Sequence, residues 1–293
     1  MSTAAAPERS APEAMTASTP AGVVVQSYIS GQVDALNRAI AATERHAPGS
    51  AGAIRIAIHR LRTAIRGYDH LFAQTPRGGP ELDQLLSALK RTEDLERLRV
   101  HFADRFDQLG LTVPEYPKWY AALEADVRDS YRRIERVHSQ AWVAVLLGQV
   151  RMFAEHARFA HGGEKPASSL MGVLSQAKNH LLDTYARVSY AADPAVARDE
   201  TRVAAREARF LAEAAAPALG RAAEEVVAAA SALERLITQY RQAVIARNWL
   251  LRLPGADRAG RLTASLAELE HEHLRQLDEE IEASTSDMIG RWS

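Results

Sequence analysis

Apolar residues along this chain recur every three or four positions, and no convincing run of strict alternation interrupts them. The pattern predicts an all-α protein. Breaker residues divide it into about nine long helices. The first is expected from about Gly22 to His46, before the segment APGS. Ser50 can cap a second that reaches about Gln74, and a third covers Glu81 to Gln108. Two more follow near Lys118 to Val137 and Ser139 to Ala160, then one from Ser168 to Ala192. Asp193-Pro194 opens the next, which Pro217 and Gly220 close. The last two run from Arg221 to about Leu251 and from about Leu262 to Ser284.

One helical stretch occurs twice. R-I-A-I-H-R-L-R at Arg55 to Arg62 and R-V-A-A-R-E-A-R at Arg202 to Arg209 lie 147 residues apart. Each places basic groups at i, i+4 and i+7: Arg55, His59 and Arg62, then Arg202, Arg206 and Arg209. That spacing gives a cationic stripe on one helix face. Leu85 to Arg99 aligns with Leu233 to Arg247 at an offset of 148. Two offsets within one residue of each other predict a duplication: two similar helical bundles, about 22–160 and 168–284, facing each other across a pseudo-two-fold cleft. Residues 1–21 read as a disordered leader, rich in Ala, Ser, Thr and Pro, and 285–293 as a C-terminal tail.

In the first comb, Ile54, Ile58, Leu61, Ile65, Tyr68 and Phe72 form the core stripe. The row Arg55, His59, Arg62 and Arg66 lies one residue on, roughly 100° around the helix. It borders the core, so arginine stems can lie on apolar surface while their heads reach a cleft. Guanidinium groups bind phosphate oxygens bidentately and stay charged at any physiological pH. Repeated phosphates make fullest use of such a row. The competing reading is salt bridging on a solvated helix, for which Asp69, Glu93, Asp94 and Glu207 stand nearby.

Composition narrows this picture. Lys and Arg number 36 and Asp and Glu 37, so the molecule is no general cation and polyanion binding must come from local clustering. The absence of cysteine excludes disulfides, thiol catalysis and thiolate metal sites. Neither a membrane-span-length apolar run nor a secretory h-region is present, which suggests a cytoplasmic protein without a membrane partner.

At these residues the sequence resembles the CHAD family, the conserved histidine α-helical domain. The family motif V-H-x-x-R-V-x-x-R-R-L-R-x-x-L-R-x-F stands here as A-G-A-I-R-I-A-I-H-R-L-R-T-A-I-R-G-Y, from Ala51 to Tyr68. L-G-x-x-R-D-x-E-V-L is similar to L-K-R-T-E-D-L-E-R-L at Leu89 to Leu98. H-x-x-R-K-A-A-K-R-A-R-Y-A-A-E is similar to D-E-T-R-V-A-A-R-E-A-R-F-L-A-E at Asp199 to Glu213. The resemblance covers about Val23 to Ala283. It implies an all-α fold of two four-helix-bundle-like halves related by a pseudo-two-fold axis, binding of inorganic polyphosphate in a basic central groove, and association with polyphosphate granules. The matching basic positions are Arg55, Arg60, Arg62, Arg66, Arg202, Arg206 and Arg209; His59 stands where the family usually has arginine. The chain also departs from the pattern. Gly52 and Asp199 replace the two signature histidines, Glu93 and Glu207 replace arginines, and Gln242 replaces an aspartate. Asp199, Glu93 and Glu207 bring negative charge to the groove, which predicts weakened phosphate binding.

The expected function is therefore a non-enzymatic module for polyphosphate or a similar polyanion, with no catalytic residue, cofactor or metal. The alternative is a structural or protein-interaction module that has lost phosphate binding. A third class, a metal-dependent helical enzyme, would need Glu135-x-x-His138 and Glu270-x-x-His273 as halves of a carboxylate site, but no bridging glutamates stand out. Asp199 and Glu200 read as acids at a helix start. No aromatic stacking pattern points to nucleic acid.

Overall fold

The structure is a computed structural model describing residues 14–76, 79–255 and 260–292. Its helices are α1 (Ala21–Thr43), α2 (Ser50–Gly67), α3 (Gly79–Gln108), α4 (Lys118–His138), α5 (Ala141–His156), the short α6 (His161–Glu164), α7 (Met171–Ala186), α8 (Pro194–Leu219), α9 (Arg221–Leu251) and α10 (Arg261–Trp292). The all-α reading holds, and no named strand occurs among the described residues.

Helix packing repeats in order. α1 packs on α2, α2 on α3 and α3 on α4; α7 packs on α8, α8 on α9 and α9 on α10. Between the two series, α2 meets α8 and α3 meets α9. The segments aligned at offsets 147 and 148 thus lie on helices of equal rank that face each other. One apolar core runs from Ala21 on α1 to Met288 on α10. Ile54, Ile58, Leu61, Tyr68 and Phe72 of the expected stripe are buried in it, with Ile65 packed at its edge.

The comb helices are held together at one close crossing. A Cβ on Gly67 would lie 2.3 Å from Leu211 Cδ2, so glycine lets α2 approach α8. Next to it, the buried Tyr68 hydroxyl donates to the Leu211 carbonyl at 2.8 Å. α8 starts on Asp193, whose side chain accepts from the Ala195 and Val196 amides, and ends at Gly220 with φ of 54°.

Several boundaries differ from the pattern. α2 stops at Gly67, short of Gln74, and passes through a 3-10 turn over Asp69–Leu71. α5 ends at His156, short of Ala160, because the chain extends to pair there: Ala73 N–H donates to the Arg158 carbonyl and Ala160 N–H to the Leu71 carbonyl. The hydrophobic period continues through such pairing, so periodicity does not mark the helix end. Residues 1–13 of the expected leader lie outside the described residues. Its end is tied down, since Ser168 N–H donates to the Ala17 carbonyl and Ala167 N–H to the Thr19 carbonyl. The expected tail is helical through Trp292, with Thr285 and Met288 buried.

Candidate polyanion-binding cleft

The four central helices each turn basic side chains toward one cleft. α2 brings Arg55 and His59, and α8 brings Arg202, Arg206 and Arg209. α3 adds Lys90 and Arg97, and α9 adds Arg241. The cleft has a volume of about 220 Å³. A second opening of about 390 Å³ is lined by Arg62, Arg66 and Glu207 and shares His59 and Arg206 with the first. The two rows therefore meet at His59 and Arg206.

Carboxylates are interleaved with these cations. Glu93 is buried and bridges Arg55 and Arg97, the latter at 2.7 Å. Asp199 accepts from Arg202 at 2.8 Å and lies 3.8 Å from Arg241. Arg209 reaches Glu234 at 2.9 Å and Glu213 at 3.4 Å, and Arg62 pairs with Asp83. Among the described residues, Arg66 and Arg206 have no ion-pair partner. Arg55 Nε, Arg209 Nε and His59 Nε2 are buried without a hydrogen-bond partner.

Crowding of like charge registers in the proton affinities. Burial, and then Arg206, Arg55, Arg62 and Arg202, push the His59 imidazole down to about 3. His59 is thus neutral near pH 7 and is no member of a cationic row, though it keeps a ring N–H to donate. Burial, and then Arg97, Arg206 and Arg241, hold Arg55 down to about 10 against the pull of Asp94. Burial and then Arg202 lower Arg206, although Glu234, Asp199 and Glu207 oppose this. These arginines remain charged at neutral pH, and an incoming anion would relieve their repulsion.

Of the expected site residues, Arg55, His59, Arg62, Arg66, Arg202, Arg206 and Arg209 line the two openings. Arg60 does not. It makes a bidentate contact with Glu213 at 2.9 and 3.2 Å and lies over the Phe210 ring. Five residues beyond Arg55, it sits roughly 140° around the helix, which removes it from the row. Lys90, Arg97 and Arg241 were missed. All three fall within the second pair of aligned segments, so that repeat carried the signal. Asp199 sits inside α8 among arginines, not at its cap, which is Asp193. Glu135 is engaged by His46, and Glu270 by His101 and Arg105. The His138 side chain lies outside the described residues. Among the described residues, no group of three or more His, Asp and Glu side chains is arranged to hold a metal ion. Nor is any helix among them long and apolar enough to cross a membrane.

The fold and cleft define a helical protein with two packed, similarly ordered helix series around shared basic side chains. The CHAD domain family matches residues 27–251, and the chain belongs to that family. Two solved structures share the fold. PptA from Streptomyces chartreusis aligns with a TM-score of 0.70 at 15% identity, over 92% of this chain and 100% of its own. The CHAD domain from the plant Ricinus communis aligns with a TM-score of 0.68 at 18% identity, over 95% of this chain and 96% of its own. No curated protein matches the chain in sequence.

Proposed function

We propose that the chain is a non-enzymatic binding module for inorganic polyphosphate or a similar linear polyanion. The observation that carries this reading is the meeting of the two arginine rows at Arg206, where a half-buried guanidinium without a carboxylate partner joins both openings. A phosphate chain laid along Arg66, Arg62, Arg206 and Arg202 would accept charge-assisted hydrogen bonds from α2 and α8 together. The internal acids lower the affinity, because phosphate must compete with Asp83 for Arg62 and with Asp199 for Arg202. Association with polyphosphate granules follows from the same contacts.

Isothermal titration with long-chain polyphosphate tests the reading. Binding should weaken on the order of a hundredfold between about 50 and about 200 mM salt, as expected for about five phosphate contacts with counterion release. Arg66→Glu with Arg206→Glu should abolish it while leaving the fold intact, since neither residue holds a carboxylate. Binding insensitive to salt and to this pair would refute the proposal. A second reading, a scaffold that has lost phosphate binding, draws on the pairing of Arg55, Arg62, Arg202 and Arg209 with the protein's own acids. Absence of any binding heat at low salt would favour it.

A further inference from the structure

Helices α1 to α4 are matched in order by α7 to α10, and α5 stands apart from that match, packed on α1, α3 and α4. Its sequence, AWVAVLLGQVRMFAEH, is apolar nearly all round. A helix of that kind is normally covered on every side. Here one side is bare. Val143, Leu146, Val150 and Ala154 are buried, whereas Val145 and Met152 are 60% and 54% exposed. A hollow of about 980 Å³ runs beside the bare side, between α5 and residues 73–76, with Val145, Gly148, Met152, Phe153 and Pro76 in its walls. It is larger than either opening of the basic cleft. Exposed apolar surface of this kind marks an interaction site.

The bare side is ordered along its length. At about 100° per residue, Ala141, Ala144, Val145, Gly148 and Met152 fall within roughly 60° of one direction, and Arg151 and Glu155 share it. A two-fold axis at Gly148, with two such helices antiparallel, sets position 152 against 144, 151 against 145 and 155 against 141. Met152 then meets Ala144, a large side chain against a small one. The Arg151 stem covers Val145 while its head reaches water. Gly148 lies on the axis itself. A Cβ there would meet nothing within 4 Å in its own chain, so the backbone is open to close approach.

Charge matches under the same operation. The start of α5 has no side-chain cap and no acid in its first turn, and Gln140 turns its amide back to the Arg136 carbonyl. At the other end Glu155 is exposed and, among the described residues, has no ion-pair partner. The antiparallel pairing carries the Glu155 of each copy to the other's uncapped helix start, where a carboxylate is favoured.

We propose that the exposed side of α5 is a homodimer interface, on which a second copy of this chain packs antiparallel across Gly148. Both the size match and the charge match are between the face and its own two-fold image, which is what an isologous contact requires. The interface is separate from the basic cleft and does not depend on polyphosphate binding.

Sedimentation equilibrium of the full chain tests this. The 32.1 kDa monomer should pass to twice that mass as the concentration rises from about 1 to about 300 µM. Met152→Glu sets a desolvated charge against Ala144 and should weaken association about tenfold or more. Met152 is exposed, so this variant keeps its fold. Glu155→Lys puts a cation at the other copy's helix start and should weaken association about threefold to tenfold. The chain has no cysteine of its own, so a single introduced thiol reports on the axis. Oxidised Gly148→Cys should run as a disulfide-linked dimer. Val196→Cys, on the exposed start of α8, should not. The proposal is overturned if the chain stays monomeric over that range, if either charge variant associates as the parent does, or if Val196→Cys cross-links as readily as Gly148→Cys.

Discussion

Glu93 is the acid that most directly opposes the proposed binding in the cleft. Buried on α3, it holds Arg55 and Arg97, two guanidiniums that a phosphate chain would otherwise engage. Glu93→Gln removes that internal competitor. It should tighten polyphosphate binding by about three- to tenfold in calorimetry while lowering stability, because a paired buried charge is lost. His59 gives a second outcome at this scale. Its pKa in the folded chain, about 3, lies below the unfolded value of about 6.5. The unfolded chain therefore takes up this proton first. Stability contributed by neutral His59 is fully present above about pH 6.5 and is lost as the pH falls toward 3. Urea denaturation of His59→Gln and the parent between pH 7 and pH 4.5 should show a smaller loss in the variant; parallel curves would contradict it.

Among the elements, α2 and α8 bear the two arginine rows. Their crossing depends on Gly67 and on the Tyr68 hydroxyl at the Leu211 carbonyl. Tyr68→Phe should cost about 1 kcal/mol in denaturant unfolding, the usual worth of a hydrogen bond whose acceptor stays buried. These two helices were also the most legible part of the sequence. The i, i+4, i+7 spacing put Arg55, His59 and Arg62 on one face and Arg202, Arg206 and Arg209 on another, and the structure turns them toward two adjoining openings that share His59 and Arg206. Spacing alone does not say which carboxylate meets which guanidinium. Glu213 and Glu234 are distant in sequence from the first comb and reach the site only through packing. Helix ends were less legible for a related reason. α2 gives way to a turn at Tyr68 because the next residues pair with the 157–160 segment, a contact between positions far apart in the chain.

At the scale of the whole molecule, polar contacts that are buried or half-buried tie the first helix series to the second. Arg60 on α2 holds Glu213 on α8, and Arg105 on α3 holds Glu270 on α10. Burial works against the Glu270 carboxylate, yet the hydrogen bonds from His101 and Arg105 hold it below the usual carboxylate range. Glu270→Ala leaves Arg105 buried without its main partner and should destabilise the fold by about 3–5 kcal/mol, read as a lower urea midpoint. The duplicated offset predicted two facing halves, but not that a single apolar core would join them. That continuous core fixes the distance between the comb helices, on which the proposed shared site depends. The most direct measurement neutralises one unpaired arginine from each row, Arg66→Gln on α2 and Arg206→Gln on α8, and titrates long-chain polyphosphate into both variants. Each should bind about tenfold more weakly than the parent. Full affinity in either variant would mean that its row does not touch the ligand, and would contradict a site shared by the two halves.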